Sequence, residues 1–191
     1  MKEKLLLVGA GGFGRVVLEH ASGLYDCAFL DDGGALEVDG APVIGTTDDI
    51  EKLYGEYTLL LVTIGNNKLR ERLYKRAEAS GYSFPSLIVP SAYISPRAVL
   101  GHGCIILNNA VVQNNARLGN GSILNAGVEL HQDSVVGDNC LIYPNSVVRS
   151  LAVVGDRAWI GSTVTISTGA VVEADAVVED SSRVTASQIS D

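Results

Sequence analysis

Residues 104–136 read CIILNNAVVQNNARLGNGSILNAGVELHQDSVV, and their period is six. Aliphatic residues stand at 88, 94, 100, 106 and every sixth position through Val184, seventeen in succession. Two residues before each, from Ala92 to Ser182, only Ala, Cys, Ser or Val occurs. Self-similarity at a fixed period is the signature of a solenoid, and hexapeptides form parallel β-helices. With three hexapeptides to a coil, residues eighteen apart stack at about 4.8 Å, the spacing of neighbouring strands. A sandwich of short strands is the alternative, and it would need longer spacing and irregular turn signals.

In such a coil the periodic aliphatic residue and the small one two before it point inward, and the residue between them points out. One outward column is then Ile105, Ile123, Leu141, Trp159 and Val177, all apolar. A second is Val99, Arg117, Val135, Val153 and Val171. The third, Tyr93, Val111, Glu129, Val147, Thr165 and Arg183, is far more polar. Long apolar stripes predict an oligomer interface, and a three-sided prism packing its faces around an axis predicts a cyclic homotrimer. Cys104 and Cys140 share an inward column two coils apart, about 9.6 Å, which exceeds disulfide reach.

Before residue 86 the pattern is different. LLLV (5–8) precedes a glycine turn, FGRVVLEHAS reads as a helix and CAFLDD as a second strand. DDIEKLYG reads as a short helix, TLLLVTIGNN as a buried strand, and KLRERLYKRAEASG as a helix ended by Gly81. Strands alternating with helices imply a parallel sheet, hence an α/β domain over 1–85 followed by an all-β domain over 86–191.

In VGAGGFG (8–14), Gly9, Gly11 and Gly14 fit G-x-G-x-x-G, with Gly12 inside the turn. There, backbone amides and a helix N-terminus receive a phosphate. Asp31 and Asp32 follow at the distance, ~20 residues, of a ribose-reading acid. The other reading is a tight strand–helix turn without ligand. The short domain leaves room for about one mononucleotide-binding half, so a nucleotide or nucleotide-sugar fits better than a dinucleotide. IGNN (64–67) ends another strand at the usual ligand-facing edge; alternatively it is a helix cap, with Asn67 before the helical run.

A net charge of −8 over 191 residues argues against nucleic acid or an anionic membrane surface as partner. The first apolar run is too short for a signal peptide or a span. Cys27, Cys104 and Cys140 show no metal spacing and leave an odd thiol, as expected in a reducing cytoplasm, and no metal is expected.

VGAGGFGRVV, FLDD, VTIGNNKLR, the linker SLIVPSAYISPRAVLG and the uninterrupted hexapeptides together resemble a bacterial family. Its members are nucleotide-sugar acyltransferases with a small Rossmann-like domain before a left-handed hexapeptide β-helix. They acetylate UDP- or GDP-linked amino sugars of the bacillosamine and perosamine type, with relatives in sialic acid O-acetylation. The resemblance implies a trimer, acetyl-CoA between neighbouring prisms as co-substrate, and the nucleotide-sugar on the N-terminal domain. Carried over by position, Gly9 to Gly14, Asp31 and Asp32 would hold the nucleotide, and Gly65 with Asn66 would approach the sugar. Separately from these positions, Arg149, Gly161 and Ser162 are the expected CoA contacts, Arg149 because it lies one coil from His131. The family's catalytic histidine falls at Gln132, with Asp133 as acidic neighbour, whereas this chain has His131. A second histidine of some members falls at Leu141. The Gly-Val-Pro-Ala-type ending is missing, and the sequence closes RVTASQISD.

His131 follows inward Leu130 at the corner leaving the polar face, in the column Ser95, Gln113, His131, Arg149, Ser167. The counterpart corner is bare: Gly101, Gly119, Gly137, Gly155. N-acyl transfer needs the sugar ammonium deprotonated, and an imidazole with an ordinary pKa of about 6.5 suits that near neutrality. Asp133 or Glu129 would orient it, Arg149 would attract a CoA phosphate, and Asn114 or backbone amides would stabilise the oxyanion. No covalent acyl-enzyme is required. The plain alternative is that His131 only decorates a corner. The column of Asn114, Gln132, Ser150 and Thr168 reads as a polar ladder, His102 as a solvated turn above Asn120, Asp138 and Asp156, and His20 as helix surface. Three functions are thereby set against each other: an acetyl-CoA-dependent sugar acyltransferase, a non-catalytic nucleotide-sugar-binding trimer that has lost its base, and an NAD-dependent oxidoreductase. The last has no catalytic constellation beyond the glycine turn.

Overall fold

The computed structural model describes residues 2–186. The last residues of RVTASQISD, 187–191, lie outside the described residues. The chain divides into two compact units between Leu87 and Ile88.

The first unit holds β1 (Glu3–Val8), α1 (Gly12–Ala21), β2 (Tyr25–Leu30), β3 (Glu37–Val38) and β4 (Ala41–Gly45). A 3₁₀ turn at Thr47–Asp49, α2 (Ile50–Leu53), β5 (Leu59–Val62) and α3 (Asn67–Ala79) follow. The sheet order is β3-β4-β2-β1-β5. All pairings are parallel except β3 with β4. Leu5 to Val8 are all buried, because a central parallel strand is covered on both faces and needs no polar alternation. On one face Leu6, Val8, Ala28, Leu30, Leu60 and Val62 pack with Ile50, Leu73, Tyr74 and Ala77 of the helices.

The β3–β4 hairpin departs from the purely parallel sheet read from the sequence. Its turn is Asp39-Gly40, with φ of 47° and 84°, the pair that a two-residue hairpin favours. The second strand also ends at Leu30, short of Asp31 and Asp32, because both acids turn aside to bond backbone amides.

The second unit is a parallel β-helix of the left-handed hexapeptide type. Its two-residue strands fall into three parallel sheets, and partners lie eighteen residues apart. Leu130 pairs alongside Val148 in one sheet. The inward columns form one core, with Cys104, Leu130, Cys140 and Val148 fully buried. Inward serines are satisfied by backbone: the Ser122 hydroxyl donates to Gly137 O at 2.8 Å and that of Ser146 to Gly161 O at 2.7 Å. Ile88, at the start of the periodic column, is 38% exposed because no coil lies beneath it.

Each corner from 103 to 181 carries one residue with positive φ, recurring every sixth position. Glycine, asparagine and aspartate hold most of these, the residues for which the left-handed conformation costs least. Leu151, Arg157, Thr163 and Ser181 hold the others.

One expectation is corrected. Ile105, Ile123 and Leu141, three of the five residues in the first apolar stripe expected to meet another copy, are 0–4% exposed within this one chain and so are not free for it, whereas Trp159 is half-buried and Val177 is 63% exposed. The second stripe does stay open: Val99, Val153 and Val171 are 52%, 39% and 57% exposed. Among the described residues, no helix is long and apolar enough to cross a membrane.

Candidate functional site

In the first unit the glycine turn is shaped by close approach. Gly9 has φ +108°, and a Cβ on it would run into Ile64 and Thr63. A Cβ on Gly14 would overlap the Gly9 carbonyl. Gly11 and Gly12 have open space in front of them instead. Helix α1 starts here with no side-chain cap and no acid in its first turn, so its leading amides are left for an anion. They face a cavity of ≈ 380 Å³ lined by Gly9, Gly11, Gly12, Asp31, Thr63 and Gly65, among others.

Asp31 and Asp32 both line this cavity, though not as free acids. Asp31 accepts from the amides of Ala10 at 2.8 Å and Gly33 at 2.9 Å. Asp32 accepts from the Thr47 amide at 2.9 Å and the Thr47 hydroxyl at 3.0 Å. Each oxygen keeps one lone pair for a ligand, so the carboxylates brace the rim first and read a ribose only with what remains.

At the IGNN turn the helix cap is Asn66, not Asn67. Asn66 Oδ1 accepts from the Leu69 amide at 2.9 Å. Asn67 is the first helical residue, and its oxygen accepts from Arg70 Nη2. Gly65 lines the cavity and Asn66 is not among its lining residues.

A larger hollow of ≈ 1010 Å³ runs beside α1 and the β2–β4 edge. Its charged walls neutralise one another or nearby groups, Arg15 on Asp39 at 2.8 Å and Lys4 on Glu56 at 2.7 Å. The smaller cavity gathers Gly9, Gly11, Gly12 and Gly65 with both aspartates, and is therefore the candidate nucleotide site.

In the second unit the polar corner is built around His131. Its amide donates to Val148 O, and its carbonyl accepts the Ser134 hydroxyl at 2.7 Å, so the backbone is fixed. The ring's Nε2 lies 3.2 Å from Glu129 Oε2. Side-chain exposure is 26% for His131 and 46% for Glu129, so the pair is reachable. Asp133 is not part of it. With φ +61° it forms the corner, and its carboxylate accepts from Asn115 Nδ2 at 3.2 Å. Gln132 is exposed, its amide held by Gln113 Oε1 at 3.2 Å.

Arg149, one coil above His131, is exposed, and among the described residues its guanidinium has no partner. The amides of Gly161 and Ser162 are already engaged, by Val178 O and by Asp180 Oδ1 at 2.6 Å. At that position the Ser162 hydroxyl is what remains for a cofactor.

The bare glycine corner proves to be structural. Asn120, Asp138 and Asp156 accept from the amides of His102, Asn120 and Asp138 in turn, at 3.0, 2.7 and 2.9 Å. A Cβ on Gly101, Gly119 or Gly137 would collide with these side-chain oxygens.

Sequence reasoning missed Arg70, which is 0% exposed. The signal was present: Asn67, Arg70, Leu73, Tyr74 and Ala77 follow helical spacing, which places Arg70 on the buried face of α3. Among the described residues, no cluster of three or more His, Cys, Asp or Glu could hold a metal.

Comparison with known proteins bears on both units. Residues 4–77 match the PglD N-terminal domain family, and residues 115–150 match the bacterial transferase hexapeptide family, six repeats. UDP-N-acetylbacillosamine N-acetyltransferase of Bacillus subtilis (strain 168) is 34% identical over 110 residues, 53% of this chain. That match spans 50% of the relative, about half the length of the curated protein. The acetyltransferase domain of PglB from Neisseria gonorrhoeae FA1090, solved with acetyl coenzyme A, superposes with TM-score 0.90 at 33% identity. The superposition covers 95% of this chain and 90% of that one. A mutant of perosamine N-acetyltransferase from Caulobacter crescentus, solved with CoA and GDP-perosamine, gives TM-score 0.91 at 28% identity. It covers 96% of this chain and 89% of that one.

Proposed function

The chain belongs to the sugar acetyltransferases that join a PglD-type N-terminal domain to bacterial hexapeptide repeats, and from that premise we propose that it acetylates the amino group of a nucleotide-linked amino sugar. The acyl donor is acetyl-CoA, as in the complex of the PglB domain, and the acceptor is a UDP- or GDP-sugar. The observation that carries the reading is the Glu129–His131 pair on a polar corner of the β-helix.

His131 is the general base in this reading. With Nε2 turned to Glu129, Nδ1 is the nitrogen left to take a proton, and Glu129 stabilises the imidazolium that results. The sugar nitrogen gives its proton to His131 as it attacks the thioester carbon. The C–N bond forms, the C–S bond breaks, and the imidazolium returns the proton to the departing CoA sulfur. Transfer is direct, without an acyl-enzyme. Asn114, exposed at the same corner, is the side-chain donor for the developing oxyanion. The unpartnered Arg149 suits a CoA phosphate, with the Ser162 hydroxyl as a further contact. The nucleotide phosphates rest on the amides of Gly11, Gly12 and Gly65, and Asp31 and Asp32 present their remaining lone pairs to the ribose. The open valine stripe is the homotrimer contact, and the free buried cysteines suit a cytoplasmic enzyme.

Free thiol release from acetyl-CoA in the presence of UDP- and GDP-linked amino sugars tests this. His131→Ala should lower kcat on the order of a hundredfold or more, and Glu129→Gln less so. The second reading, a nucleotide-sugar-binding trimer without catalysis, is motivated by Gln132 at the family's histidine position. It predicts nucleotide-sugar binding with no thiol release across the panel. Full activity in His131→Ala would refute the assigned base.

A further inference from the structure

Among the described residues, Arg70 heads the largest fully hidden side chains, at 0% exposure. An arginine does not shed its proton, so the first unit keeps a cation in its interior, an arrangement that persists only where the charge is well bonded. Nη1 donates to Ile64 O and Nη2 to Asn67 Oδ1, each at 2.8 Å. Ile64 and Gly65 line the ≈ 380 Å³ cavity together with Gly9, Gly11 and Gly12.

The loop is anchored on either side of that point. The buried Thr63 hydroxyl donates to Gly9 O at 2.5 Å and to Val8 O at 3.0 Å. Asn66 caps the start of α3. Between these anchors lies the Ile64–Gly65 peptide, and its amide N–H has no partner among the described residues. A trans peptide is planar, with C=O and N–H pointing in opposite directions. A guanidinium that grips the Ile64 carbonyl from the interior therefore turns the Gly65 N–H away from the interior, toward the cavity.

We propose that Arg70 is a positioning residue for nucleotide binding: by holding Ile64 O it aims the Gly65 amide at an oxygen of the ligand's diphosphate. Asn67 steadies the guanidinium through the second bond. The inference rests on the nucleotide-sugar reading of the cavity and specifies which amide meets the phosphates. Gly65 thus becomes a donor across from the amides of Gly11 and Gly12 at the start of α1, and one phosphate group is held from two sides.

Titrations of UDP, uridine, GDP and guanosine into the full chain test it, alongside thermal unfolding. For wild type, the diphosphate should bind far more tightly than its nucleoside. Arg70→Met should weaken the diphosphate about tenfold or more and leave nucleoside affinity unchanged, because the lost interaction is with phosphate. A merely structural role would weaken both alike. Arg70→Lys keeps one donor for the Ile64 carbonyl and should recover most of the diphosphate preference. Should Arg70→Met not fold, the wild-type Gly65 amide proton decides: it should move strongly on adding UDP or GDP and little with the nucleoside. An unchanged diphosphate-to-nucleoside ratio in Arg70→Met, or an unmoved Gly65 amide in the presence of a bound nucleotide, overturns the proposal. Failure of wild type to bind any of the four ligands overturns the nucleotide reading instead.

Discussion

His131 and Gln132 are neighbours in sequence that occupy different chemical settings. The former has a carboxylate 3.2 Å from its ring, whereas the latter is an exposed amide whose neighbour in sequence, Asp133, bonds Asn115. Moving the imidazole to the family's position should therefore not restore function. In the double variant His131→Ala/Gln132→His, kcat should stay about a hundredfold or more below wild type, since no acid is placed to orient a ring at 132. Steady-state thiol release measures this, and recovery to near wild type would show that Glu129 is dispensable. Thiols give a second residue-scale prediction. Burial raises the Cys27 thiol to about 11, and Cys104 and Cys140 are fully buried. A raised value leaves little thiolate below it, so the folded protein at pH 8 should react slowly with a disulfide reagent, while unfolding exposes all three cysteines. The direction of His131 was legible in the sequence, because strand alternation places it just past inward Leu130. Its partner was not. Glu129 and Asp133 both lie within two residues, and only the left-handed turn at Asp133 removes one of them.

At the scale of elements, the six-residue period told which residues face the core but not how each corner closes. Leu151 adopts φ +62° with 61% exposure, so it bears left-handed strain without a packing return. Leu151→Asn should stabilise the protein by up to about 1 kcal/mol, read as a raised Tm. Gly137→Ala should do the reverse, by about 1–3 kcal/mol, because its Cβ would strike the Asp156 carboxylate that caps Asp138. Nothing in the glycine column alone revealed that ladder, since it depends on side chains one coil away. The β3–β4 hairpin, by contrast, has a local signal in Asp39-Gly40, one weaker than the helical and strand runs on either side. The cap of α3 differs from expectation by one residue, Asn66 for Asn67, as is common at helix ends where two capping residues adjoin. Asn66→Ala should lower stability by ~1 kcal/mol, whereas the same change at Asn67 removes a bond to Arg70 and not the cap.

On the scale of the whole molecule, three of the five residues in one apolar stripe read from the sequence are already buried within the chain, while Val177 at its end and the second stripe stay open. The periodicity identifies apolar outward columns but does not say what covers each. In the proposed homotrimer, Val153→Lys with Val171→Lys places two charges on the contact and should yield monomer in sedimentation velocity, with the coil still folded. An unchanged sedimentation coefficient would remove this face from the assembly. In the proposed reaction an acetyl group leaves sulfur and arrives on a sugar nitrogen, with His131 carrying the proton between them. The most direct test is mass spectrometry of the nucleotide-sugar after incubation with isotopically labelled acetyl-CoA. Wild type should add one labelled acetyl group to the amine of a UDP- or GDP-linked amino sugar, and His131→Ala should leave that sugar unmodified. A nucleotide-sugar that binds yet keeps its original mass with wild type, across the panel of amino sugars, would contradict the account.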